Sequence, residues 1–182
     1  MDFRSSDYGA EVARLLAMDG DGLRPMPLAP VSGNWASNAA RAELKRRKAR
    51  DLFTNSVSPE GALAGLYLYF SCLEEAHSIA QDLNTREGSF WHGIMHRQEP
   101  DAGNAAYWFR QVGSHPIFPA LQFEANKARF VTGAEWDPFA FIDFCEAARV
   151  RGGSHEEDIA MQVQLAEWQL LFDYCAREKA PR

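Results

Sequence analysis

The chain has 182 residues, a formal net charge of −6, and is 46% apolar and 24% charged. A chain this long buries about 70% of the surface exposed on unfolding, so it needs no metal or disulfide staple merely to fold. Five Trp and twelve Phe among its aromatics exclude intrinsic disorder, a collagen-like repeat and a coiled-coil rod.

No window approaches 18 uninterrupted apolar residues, and Met1-Asp2-Phe3-Arg4 lacks the apolar core of a signal peptide. The odd cysteines Cys72, Cys145 and Cys175 are widely spaced, as expected of reduced thiols, and the chain reads as cytoplasmic. The acidic balance argues against nucleic acid as a partner, and the lack of an apolar span against the membrane.

Apolar residues recur at helical spacing almost throughout, with no sustained strand alternation. Tyr8, Val12, Leu15 and Leu16 predict a first helix capped by Asp7 and ended by Gly20. The breakers Asp19-Gly20-Asp21-Gly22, Pro25, Pro27 and Pro30 predict a loop. A second helix is expected over about 37–53. Within it, residues 41–50 hold Arg41, Lys45, Arg46, Arg47, Lys48 and Arg50 against the single acid Glu43. No aromatic side chains alternate with these cations as stacking platforms, so a solvated helix is expected there, not a phosphate-tracking surface.

Ser58 and Pro59 open a long third helix that the pattern continues to about Leu83. Its seam, Leu63, Leu66, Phe70, Leu73, His77 and Ala80, places a polar ring in apolar company. A turn is expected over 84–88, then a short helix opened by Ser89 and ended by Pro100, and another begun over 101–104 and closed by Gly113. Pro119 begins a further helix. Asp137-Pro138 and the capping box Ser154/Glu157 start the last two. The expectation is one all-α domain, an irregular multi-helix bundle of about eight helices. Its core lies over 58–177, with 1–55 as an N-terminal extension.

The chemistry-bearing residues concentrate in 89–116. His92 and His96 stand at i and i+4, and Glu99 follows on the same face. Two imidazoles one turn apart can converge on a cation, and His77 on the neighbouring helix would complete a His₃ or His₃Glu set for a divalent transition metal. Gly93, not Glu, follows His92, so the metalloprotease pattern is absent. The same block offers Trp91, Arg97, Tyr107, Trp108, Arg110 and His115, a mixture suited to a pocket for a small anionic ligand, with Arg97 and Arg110 as anion clamps. His77, His96 and Glu99 are the candidate acid/base groups. Each cysteine falls within a predicted long helix, Cys145 and Cys175 on apolar stripes, and all three are expected to be buried and inert.

Three stretches, Leu66–Asp82, Ser89–Pro116 and Glu167–Cys175, together resemble a family of all-helical bacterial and fungal proteins with a WHGIMHRxExDxxNAxYWFRxxGxHP-like core. The resemblance implies a helical fold centred on the histidine-rich hairpin and carries no activity or catalytic residues. Separately, Ala105, Phe109, Val112 and Pro116 resemble one helix of a tetratricopeptide-type repeat, but without recurrence at that period there is no stacked array. The functional expectation is a metal or small-ligand pocket built on that hairpin, with metal-assisted hydrolysis as its natural chemistry. The alternative is a non-catalytic helical interaction or scaffold protein whose histidines are structural.

Overall fold

The computed structural model describes residues 2–29, 35–131 and 133–178, with the side chains of 35–37 excepted. Met1, Pro30 and the Ser37 side chain therefore lie outside the described residues. Among those described, ten α-helices and no strands form a single all-α domain. They are α1 (Ala10–Leu16), α2 (Trp35–Leu44), α3 (Ala49–Leu52), α4 (Pro59–Tyr69), α5 (Leu73–Gln81), α6 (Arg86–Gln98), α7 (Ala102–Val112), α8 (Phe118–Lys127), α9 (Pro138–Val150) and α10 (His155–Ala176). No described helix is long and apolar enough to cross a membrane.

α10 is the central strut. Its Trp168 and Phe172 stack at 5.0 Å and are enclosed by Phe3, Tyr8, Phe53 and Tyr69. The Trp168 indole donates to the Gly65 carbonyl at 2.7 Å, so the one polar atom of that ring is satisfied where water cannot reach. The N-terminal segment is no appendage. Phe3, Val12, Leu15, Leu16, Met26, Leu44 and Phe53 are buried in the same core as α4 and α10.

Two expected helices are broken. The long third helix ends at Tyr69 and resumes as α5 at Leu73. Ser71 takes a left-handed φ of 56°, its N–H bonds the Leu68 carbonyl, and the Cys72 N–H reaches back to Tyr67, both at 2.9 Å. That is a Schellman closure with serine where glycine is usual, and it folds α5 back onto α4. Periodicity did not register the corner because the apolar spacing continues in phase across it.

The basic helix is likewise two pieces, α2 and α3, with a turn between them. Five of its cations pair with four acids: Arg41 and Lys45 with Glu75, Arg46 with Glu43, Arg47 with Glu11 and Glu43, and Arg50 with Glu60. The charge run therefore fastens the N-terminal helices to α1, α4 and α5.

Local helix-end signals hold at some helices and fail at others. Asp101, Asp137 and Ser154 all accept backbone N–H groups as N-caps. Asp7 is not a cap; it sits in a 3₁₀ turn, and Gly9 precedes α1. α6 starts before Ser89, at Arg86, because Thr85 Oγ1 caps Gly88 N at 3.2 Å.

Candidate functional site

α5, α6 and α7 pack side by side and carry the histidine-rich cluster. Glycine sets the closeness of α6 to α7: a Cβ on Gly93 would stand 2.6 Å from Phe109 Cε2, well inside contact distance. This approach brings Trp108 of α7 flat onto His92 of α6, with ring centroids 4.0 Å apart and planes within 10°.

His77 of α5 meets both α6 histidines edge-on, at centroid distances of 4.9 Å to His92 and 5.9 Å to His96. His92 and His96 lie 6.1 Å apart with planes 15° from parallel, as successive turns of one helix dictate. Two imidazoles bound through nitrogen to one tetrahedral ion would hold their centroids about 5 Å apart. The rings thus have roughly the spacing of a ligand set. Among the described residues, however, no three His, Cys, Asp or Glu side chains have their donor atoms already gathered for an ion. Ring rotation about the side-chain torsions would be needed to focus them.

The protonation of His92 follows from its partners. Nδ1 lies 3.2 Å from the Gly88 carbonyl, which can only accept, so Nδ1 carries the proton. Burial, with lesser contributions from His77 and His96, holds its pKa down at about 4, so the ring is neutral near pH 7. Nε2 is then a bare lone pair, buried and without a hydrogen-bond partner among the described residues. Glu99 Oε2 lies 3.1 Å from His96 Nδ1, a charge contact out of line for a hydrogen bond. It favours a proton on Nδ1 and a free Nε2 on that ring as well. Glu99 thus stands as a half-exposed carboxylate beside His96.

Several residues expected in the pocket lie elsewhere. Arg97 is fully buried: it forms a bidentate ion pair with Glu167, donates from Nε to Gln164 Oε1 at 3.1 Å and lies over the Phe141 ring. A guanidinium so enclosed cannot clamp a ligand. Trp91 is core, packed where α6 crosses Gly65 and Phe172. His115 is buried among Phe90, Phe118 and Tyr174, with Nε2 3.6 Å from Glu87. That imidazole is the largest influence holding the Glu87 carboxyl down at about 2. Arg110 is exposed, 6.0 Å above the Phe139 ring, and lines a separate cleft with Trp136 and Phe139.

No family model, curated protein or solved structure matches this chain. The site must be read from its own chemistry.

The structure brings together His77, His92, His96, Glu99 and Trp108, with Tyr107 edge-on to Trp108. Beside them, a cleft of about 420 Å³ opens along the α5–α6 turn, lined in part by Ala80, Arg86, Ser89, Tyr107, Trp108 and Gln111. Two contributors went unrecognised in the sequence. The Gly88 carbonyl fixes the His92 tautomer, and its position four residues before His92 was the available signal. Arg86 was overlooked because a turn was expected where α6 begins. All three cysteines are buried and form no disulfide, and burial pushes the Cys145 thiol up to about 12. Such a thiol is no nucleophile at neutral pH.

Proposed function

We propose that the α5–α6 hairpin is a divalent transition-metal site with His77, His92 and His96 as ligands and Glu99 as an orienting carboxylate. The observation that carries this reading is the buried, neutral, partnerless Nε2 of His92, edge-on to His77 and one turn from His96. Neutral imidazole with Nδ1 fixed by a carbonyl or carboxylate is the form a metal takes up. Held by His77, His92 and His96, such an ion would supply the Lewis acidity and activated water of hydrolytic chemistry.

Protein purified without an affinity tag and dialysed against zinc, cobalt or nickel should bind one ion per chain. His77→Ala is the most informative variant, because that ring is half-buried and has no hydrogen bond to lose among the described residues. It should weaken metal binding at least about tenfold without changing the melting temperature of the metal-free protein, and Glu99→Gln should weaken it about tenfold. Metal uptake that is substoichiometric and indifferent to His77→Ala rejects the site.

A second reading, a helical interaction protein with structural histidines, is favoured by the Trp108–His92 stack and by donor atoms that are not pre-gathered among the described residues. It predicts that His92→Ala lowers stability while no histidine variant changes metal uptake.

A further inference from the structure

We infer that the cleft between the start of α8 and the chain entering α9 binds a small, neutral aromatic molecule with an amide edge, a carbonyl and an N–H side by side as in aromatic carboxamides and lactams. The inference is independent of the metal reading.

The cleft has a volume of about 390 Å³, within the size range of small-ligand sites, and His115, Phe118, Gln122, Glu135 and Trp136 are among its lining residues. Phe118 and Gln122 stand at i and i+4 on α8, one turn apart on one face. Trp136 directly precedes the Asp137 cap of α9, and its indole packs against Phe130 and Phe141, with ring centroids 6.0 and 5.2 Å away.

Two of these side chains carry hydrogen-bonding atoms with nothing to bond. Gln122 and Trp136 are only 7% and 6% exposed. The Gln122 amide nitrogen donates to the Gly133 carbonyl at 3.3 Å and to Asn126 Oδ1 at 3.2 Å. Because the backbone carbonyl can only accept, the amide orientation is fixed, and Oε1 is left as an acceptor without a partner among the described residues. Trp136 Nε1 is a donor equally without one. Buried polar atoms left unpaired are costly, and a guest that offers a carbonyl to the indole and an N–H to the amide oxygen relieves both. An amide edge carries that pair of groups.

The remaining lining selects the body and charge of the guest. Phe118, Trp136 and the His115 ring are aromatic wall. The nitrogens of His115 are turned to other partners: Nδ1 accepts from the Ile117 N–H at 3.4 Å, and Nε2 faces Glu87 at 3.6 Å. Glu135 is the one formally charged lining residue, so a carboxylate guest is repelled where a neutral one is not. The cleft that Arg110 lines shares Ser114, Phe118, Glu135 and Trp136 with this one and leaves room for a substituent on the aromatic ring.

Benzamide, its near-isostere acetophenone, which lacks the N–H, and benzoate test this by NMR on the isotope-labelled protein. The Trp136 indole N–H peak, one of five such peaks, is assigned by through-bond correlation. Benzamide should move that peak saturably to lower field, as a new hydrogen bond requires, and leave the other indole peaks in place. Acetophenone and benzoate should each bind at least about fivefold more weakly, the first for want of a donor to Gln122 and the second also for its charge. Trp136→Phe, followed through the backbone amides of 133–135, should weaken benzamide by at least about fivefold. A Trp136 peak indifferent to benzamide, acetophenone or benzoate bound as tightly as benzamide, or benzamide affinity unchanged in Trp136→Phe overturns the inference. The comparison of the three probes decides it in the parent protein even if that variant does not fold.

Discussion

Trp108 covers one face of His92 while the Gly88 carbonyl accepts a hydrogen bond from its Nδ1–H. Burial, to which the indole contributes, keeps the imidazole neutral well below its usual titration range, against the opposing pull of the carbonyl, which fixes the tautomer.

That property makes folding sensitive to acid. The unfolded chain protonates His92 near pH 6.5, whereas the folded chain does so only near 4. The unfolded state thus binds more protons between these values. Stability is complete above about pH 6.5 and falls by up to about 3 kcal/mol as pH drops to 4. Urea unfolding of the parent and of His92→Gln over pH 7.5 to 4.5 checks this, the upper window excluding the loss expected from Glu87 below its unfolded value. Equal pH slopes for the two proteins would remove His92 as the cause.

Removing the indole should loosen the same control. Trp108→Ala gives up the stack and a half-buried aromatic surface, a cost of about 2 kcal/mol. It also readmits water to the imidazole, so the NMR titration of His92 should move up from about 4 towards 6.5. A destabilised variant whose His92 titrates as in the parent would mean that burial by the rest of the fold, not the indole, sets the pKa.

Arg97 and Glu167 are both fully buried. Arg97→Met leaves a carboxylate without its counter-ion and should cost about 3–5 kcal/mol, with the pair replacement Arg97→Met/Glu167→Leu recovering most of that loss. Chemical denaturation of the two variants measures it. No recovery in the double variant would point instead to the hydrogen bond with Gln164.

Glu75 holds both Arg41 and Lys45 within 3.2 Å while itself only slightly exposed. Glu75→Gln should cost about 1 kcal/mol at low ionic strength, and less than half as much in 1 M salt, where exposed pairs are screened. A salt-independent cost would show that packing, not charge, docks α2.

The helical character of the chain was legible because amphipathic spacing and end signals are local. Asp101, Asp137 and Ser154 each bond N–H groups within three residues. The pairing of His92 with His96 was legible for the same reason, being one helical turn. His77 was placed beside them correctly although its helix was drawn too long, since the corner at Ser71 preserves the phase of the seam. The fate of Arg97 was not legible: Glu167 lies 70 positions away, and no local pattern distinguishes a guanidinium bound for the interior from one facing water. The split of the basic helix was equally hidden, because Glu75, Glu11 and Glu60 are brought to it only by the fold.

The corner at Ser71 also acts as a phasing device. Each residue of an α-helix turns the chain by about 100°, so lengthening or shortening that three-residue bend would swing His77 around the barrel of its own helix. The imidazole cluster is thus indexed by a backbone joint that contributes no side chain to it, and because Phe70 and Cys72 of that joint are core residues, an insertion there would disturb packing and cluster together.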